Sequence, residues 1–346
     1  MDSQRQAQII LYGKAFARDG DMWAFPAEVI DAELDFLQAA NAARANLPVP
    51  PPLSPEAVQE QNYLRLSFSR LTSIYDGLAE ELAAQGLPHK AIVERLYIEL
   101  TKGAVEARTS DTHVVKDRIP FLYAFSVPLA GVAKADRGYH HPATRYLMFP
   151  VSKKLSPNNA NDMNRVRAGL VHIGPDTMYH FMYEDCMVNA EQPYKGLLRS
   201  RLLVKCWWTI FFGPLSALRR DGEVDTFRRG RKCNAYRNNI TRVSMRSIAY
   251  VATLARFALS SDTSISPGNP RPSGDSPPFT YYAFYRSLVS LLESPNPNSA
   301  KLKFRTELLE WWNTECFTKG PYNRDDGAEV GESTSFADMF DAEEAA

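Results

Sequence analysis

Three groups of residues have types and spacings that could do chemistry. His172, Asp176 and His180 recur every four residues, the step that lines metal ligands along one helical face. Gly174-Pro175 interrupts the series, and proline begins helices more readily than it continues them. The expectation is a helix starting at Pro175, in which Asp176 and His180 alone share a turn, and no metal site. None of the six histidines has an acid two residues on, so the His-x-Asp pattern of non-haem iron oxygenases is missing. Cys186, Cys206, Cys233 and Cys316 are scattered, without Cys-x-x-Cys, and read as small hydrophobes. Asp136, Arg137, His140 and His141 form a polar cluster. They are candidates for the centre of an enzyme of unrecognised type. The plainer reading is a turn in which Asp136 caps backbone and His141, preceding Pro142, is held extended. The chain has no Gly-x-Ser-x-Gly elbow, no phosphate-binding Gly-x-x-x-x-Gly-Lys-Ser/Thr and no Gly-x-Gly-x-x-Gly. The common esterase, nucleotide and dinucleotide classes are therefore disfavoured, and no cofactor is expected.

Charge layout is more informative. Between Arg199 and Arg246 stand twelve basic residues against three acidic ones, in a chain whose formal net charge is zero. Arg219, Arg220, Arg228, Arg229, Arg231, Lys232, Arg237 and Arg242 are the candidate polyanion-binding set. A guanidinium donates two parallel hydrogen bonds to phosphate, and Tyr236 with Asn234, Asn238 and Asn239 would add stacking and base-edge contacts. The partner expected is nucleic acid or an acidic protein; the alternative is a solvated loop. Residues 325–346 carry eight acids and no base. Such a tail competes with polyanions for the basic segment. Phe336, Met339 and Phe340, at three- and four-residue spacing, would dock it on a protein partner.

The elements that must position these groups are mostly helical by period. Pro26 to Ala45 is one helix. Ser54-Pro55 offers an N-cap and a first-turn proline for another, which Gly86-Leu87-Pro88 would end. A further helix spans Ile92 to Val105. Leu197 to Phe212 is apolar nearly all round and so is expected to be buried, with one tryptophan of Trp207-Trp208 in the core and one flanking it. Helices over 247–260, 284–292 and 302–317 follow. Alternation is brief, at Pro120 to Pro128. The fold expected is mainly α, an irregular helical domain with long loops, with a small β element in 119–150 as the alternative. The Pro-rich stretch Leu47 to Pro55 divides an N-terminal helical extension (1–55) from a principal domain (56–320), and 321–346 is an acidic tail. No run approaches the roughly 20 apolar residues of a membrane helix, and no membrane partner is expected. Four cysteines make no disulfide framework, which points to a reducing compartment, cytoplasm or nucleus. The third functional reading, beside binding and catalysis, is a scaffold that self-associates through its aromatic helices.

Ordered blocks carry a resemblance. Glu106 to Thr112 (EARTSDT) matches an ARSDDT element, and Arg137 to Pro142 (RGYHHP) matches RGxxHP. Phe212 to Leu218 (FGPLSAL) resembles GPSSAL, departing at Leu215 where serine is usual. Ser247 to Ala252, Arg256 to Ser260, Tyr282 to Tyr285 and Glu310 to Asn313 follow in order. Over roughly residues 90 to 317 the chain resembles the uncharacterised DUF6698 family of mushroom-forming fungi. The resemblance implies a fungal protein of unknown activity and supplies no catalytic or binding residue. The function expected is a non-enzymatic binding or interaction protein.

Overall fold

The computed structural model describes residues 3–48, 51, 53–83, 89–189, 191–218, 233–265, 279–294 and 298–318. In chain order the helices are α1 (Ser3–Ala15), α2 (Pro26–Arg44), α3 (Pro55–Ile74), α4 (Leu78–Ala83), α5 (His89–Leu122), α6 (Pro142–Arg145), α7 (Ala160–Arg167), α8 (Arg201–Phe211), α9 (Pro214–Ala217), α10 (Asn234–Arg237), α11 (Met245–Leu259), α12 (Tyr281–Glu293) and α13 (Ser299–Asn313). The protein is mainly α. No described helix is long and apolar enough to cross a membrane.

The core is built around α11, whose fifteen residues are all buried. Ser244 starts it, accepting from Ser247 N while the Ser247 hydroxyl accepts from Ser244 N, so two otherwise orphaned donors are satisfied. Helix α8 packs beside it, with Trp207 stacked on Phe211 at 4.2 Å and donating to Ser247 Oγ. Both members of the first tryptophan pair are core, Trp208 as well as Trp207. The reason is that α8 has protein on every apolar side. In the second pair Trp312 is buried and donates to Leu198 O, while Trp311 is only partly covered.

Helix α1 crosses α5 at two glycines. A Cβ on Gly13 would lie 2.1 Å from Leu100 O, and one on Gly103 would lie 2.1 Å from Ile10 O. The backbones touch there, an approach only glycine permits. After α1 the chain makes one wide helical turn, Phe16–Gly20, which delivers Arg18, Asp19 and Asp21 to the interior.

Helix α5 is far longer than its Ile92-to-Val105 periodicity suggests. Val115, Ile119 and Leu122 are buried at helical spacing and carry the stripe through Pro120. Proline cannot donate to the carbonyl four residues back, that of Lys116. Arg137 donates to that oxygen instead, at 3.1 Å, so the helix tolerates the proline. The small β element over 119–150 is accordingly not formed: among the described residues Pro150 makes an isolated bridge to Tyr179, and no strand results. Two helix boundaries also differ from the sequence reading. Helix α3 stops at Ile74, ahead of Gly77 at φ +84°; residues 84–88, where the stop was expected, are outside the described set. No helix begins at Pro175, because Gly174 to Thr177 closes as a turn, and His180 opens a separate short turn at His180–Met182.

Candidate functional site

Buried charge in this protein falls into two kinds. In the first, each guanidinium meets a carboxylate. Arg18 holds Asp111 with two hydrogen bonds of 2.7 and 2.9 Å, and Tyr250 donates to the same carboxylate at 2.9 Å. Arg246 donates to Glu293 Oε2 at 2.9 Å, Asp21 Oδ2 at 3.1 Å, Ser67 Oγ at 2.6 Å and Gly20 O at 2.7 Å. Asp21 also accepts from the backbone N–H groups of Trp23 and Ala24 and from Tyr63. Burial opposes the Arg246 charge, but Tyr285, Glu293 and Asp21 together hold its pKa above the ordinary value. These knots tie the turn after α1 to α3, α5, α11 and α12.

The second kind lies on the other side of Trp23. A cleft of about 340 Å³ opens between Met22-Trp23, one face of α5, Phe257 and residues 263–265. The α5 wall is Val105, Arg108, Thr109, Thr112, His113 and Lys116, steps of three and four that define one helical face. Trp23, Phe257 and Ile265 make the apolar walls. Among the described residues no carboxylate lines it. Arg108 donates to Met22 O at 2.9 Å and sits 5.6 Å from the Trp23 ring centre. Burial draws its pKa down, with Tyr250 and Asp21 acting the other way. Trp23 Nε1 and Thr112 Oγ1 are buried and have no hydrogen-bond partner among the described residues. A buried unpaired polar atom costs about 1–3 kcal/mol.

Behind Phe257 the positive charge continues. The Lys134 ammonium lies 4.4 Å from the centre of the Phe257 ring and donates to the Ser260 carbonyl that ends α11. Burial pushes the Lys134 amine down to about 7; Asp262 resists this, while Arg137, Arg256 and Lys116 reinforce it. Arg137 donates to Lys116 O and Ala258 O, and burial lowers its pKa against the pull of Asp117. Arg256 is enclosed by aromatic rings. It donates to Tyr179 at 3.1 Å, Tyr281 at 2.9 Å and Asp262 at 3.4 Å, with Phe279 3.0 Å from its guanidinium carbon. Around the end of α11, then, Lys116, Arg137 and Arg256 all act on Lys134 against the pull of Asp262, while Asp117 pairs with Lys116 at 3.5 Å.

The sequence candidates fall around this region without forming it. Asp136 and His140 are exposed. His141 precedes α6 and caps it, its Nδ1 accepting from Ala143 N at 3.2 Å. None of the three lines the cleft. His180 is buried with Nδ1 3.0 Å from Cys186 O, and burial lowers its pKa. No metal-competent group of three His, Cys, Asp or Glu occurs among the described residues. Cys186, Cys206 and Cys316 are buried free thiols, and burial raises Cys206 to about 12. Arg219, Arg220, Arg228, Arg229, Arg231 and Lys232 lie outside the described residues, as do Phe336, Met339 and Phe340. Arg237 and Arg242 are described and exposed. Two others of the twelve basic residues are engaged within the body, Arg246 as above and Arg201 with Glu315 at 3.0 Å, and Arg199 lies 3.9 Å from the half-exposed Glu307. The raw count therefore overstates the free positive charge.

Sequence reading missed Trp23, Arg108, Lys116 and Lys134. A signal existed for the α5 residues, because 105, 108, 109, 112, 113 and 116 form a continuous stripe at helical spacing beside the apolar one. Nothing in the sequence pairs Trp23 with a helix about 85 residues downstream.

Fold and site together define a helical protein with a cationic cleft at the junction of its N-terminal turn, its longest helix and the end of its central helix. Residues 102–317, more than half of the chain, match the family described as "Family of unknown function (DUF6698)", and the chain belongs to that family. No curated protein and no solved structure matches it.

Proposed function

We propose that this chain is a binding protein whose cleft takes a small anion carrying a flat apolar body. Arg108 and Lys116 would meet the charged end, the hydroxyls of Thr109, Thr112 and Ser264 would meet its polar atoms, and Trp23, Phe257 and Ile265 would cover the apolar part. The observation that carries the reading is Arg108, a part-buried guanidinium that bonds a neutral carbonyl in a cleft with no carboxylate among its described lining residues. A cation desolvated without a counter-charge gains most from an incoming anion. The cleft volume is at the lower end of the range for small-molecule sites. The test is titration of the full chain with anilinonaphthalene sulfonate, an anion with a flat apolar body. Saturable fluorescence enhancement is expected, weakened about tenfold by Arg108→Gln and by Lys116→Gln. Equal binding by the native chain and both variants would overturn the reading.

A second reading keeps the Arg-rich segment as a polyanion surface for nucleic acid or an acidic protein. Arg237 and Arg242, exposed at its edge, favour it. Salt-dependent retention on immobilised nucleic acid, lost when Arg228, Arg229 and Arg231 are neutralised, is its test.

A further inference from the structure

A second concavity lies away from the cleft, between the loop around Tyr194 and the first turns of α13. It is an open groove of about 660 Å³. Lys195, Arg199, Lys301 and Lys303 line it, against Glu191 and Glu307. Glu307 is shared at long range by Arg199 (3.9 Å) and Lys303 (3.8 Å). Two such long contacts to one half-exposed carboxylate leave the groove cationic, because exposed pairs of this kind are weak and screened. Its floor carries a ring pair, Tyr194 and Phe304, with centres 5.6 Å apart, and Tyr194 remains half exposed. An occupant suited to this groove is acidic and bears aromatic or thioether side chains.

The chain itself supplies such a segment. Residues 325–346 carry eight acidic side chains, no basic one, and Phe336, Met339 and Phe340. The described chain ends at Thr318, one turn beyond α13, the helix whose opposite end walls the groove. The path back from Thr318 to Ser299 is about 30 Å at the helical rise. The eighteen residues from Thr318 to Phe336 span up to about 60 Å when extended, so the reach is ample. We propose that the acidic C-terminal segment of this chain docks in cis on the groove between the Tyr194 loop and α13, with Phe336, Met339 or Phe340 on the Tyr194–Phe304 pair and its carboxylates on Lys195, Lys301 and Lys303. The proposal is independent of the cleft and of its ligand.

Zero-length carbodiimide cross-linking of the full chain, read by mass spectrometry of the monomer band, tests it. Expected are links from Asp338, Asp341, Glu343 or Glu344 to Lys195, Lys301 or Lys303, lost when the salt is raised to about 0.5 M. A second measurement is chymotryptic cleavage after Phe336 and Phe340, expected to speed up at least threefold in Lys301→Gln/Lys303→Gln. The Lys303 side chain is 78% exposed and Lys301 lies in the first turn of α13, so the variant keeps its fold. Three results would overturn the proposal: links confined to a dimer band, which place the segment on a second copy; links only to lysines outside the groove, such as Lys232; or an unchanged cleavage rate in the double variant.

Discussion

The turn after α1 and the end of α11 both bury arginines, yet they solve the charge problem differently. Around Arg246 and Arg18 each guanidinium meets carboxylates at hydrogen-bond distance: Asp21 and Glu293 for one, Asp111 for the other. Around Phe257, Arg108 and Arg137 bond carbonyl oxygens among the described residues, Lys134 caps a helix end, and Arg256 alone reaches a carboxylate there among the described residues, Asp262 at 3.4 Å. A buried ion pair holds elements in register, and removing one partner strands the other. A cation held by carbonyls alone keeps its capacity for an anion. The first region therefore reads as framework and the second as a place to bind.

The comparison can be broken by substitution. Asp21→Ala removes the carboxylate shared by Arg246, Tyr63 and two backbone donors. It should cost about 3–5 kcal/mol in urea unfolding; a cost below 1 kcal/mol would show the knot to be dispensable. Asp111→Asn leaves Arg18 facing a neutral amide but keeps some hydrogen bonding, so a smaller loss of about 2–3 kcal/mol is expected by the same measurement. Arg108→Gln should change stability by no more than about 1 kcal/mol while weakening anilinonaphthalene sulfonate binding about tenfold, which is about 1.4 kcal/mol. The reverse pattern would make Arg108 framework.

The smallest effect is a pH slope. Burial pushes the Lys134 pKa down to about 7 in the folded chain, from an ordinary value of 10.5. Between these values the unfolded chain holds a proton that the folded chain has released. Stability should therefore rise with pH across this window and flatten below pH 7, where both states are protonated. Lys134 is partly exposed, so the total is about 1 kcal/mol after screening. Lys134→Met should remove the slope in chemical unfolding followed from pH 6 to 10. An unchanged slope would assign it to other groups.

Much of the fold is legible because local chemistry writes it. Ser54 caps α3 through Ala57 N, and Pro26 and Pro55 open their helices, as their positions indicate. The all-round apolarity of Leu197 to Phe212 and the stripe of Ser247 to Ser260 indicate burial, and α8 and α11 are the core. Helix α5 runs on to Leu122, past the Ile92-to-Val105 periodicity and through Pro120; the donor that meets the carbonyl the proline leaves is Arg137, a residue from another segment. The wide turn at Phe16–Gly20 has no local signature, since its reason is the buried partners of Arg18 and Asp21.

Hydrophobic period, caps and prolines are properties of neighbouring residues, so the sequence by itself determined that this protein is helical, which helices are buried and where several begin. Whether an arginine is neutralised is a property of what stands within about 4 Å of it, and those neighbours come from distant parts of the chain. Tertiary structure alone decided that Arg246, counted in the basic segment by sequence, is locked inside the framework, and that Arg108, given no role by sequence, faces a cleft with no carboxylate among its described lining residues.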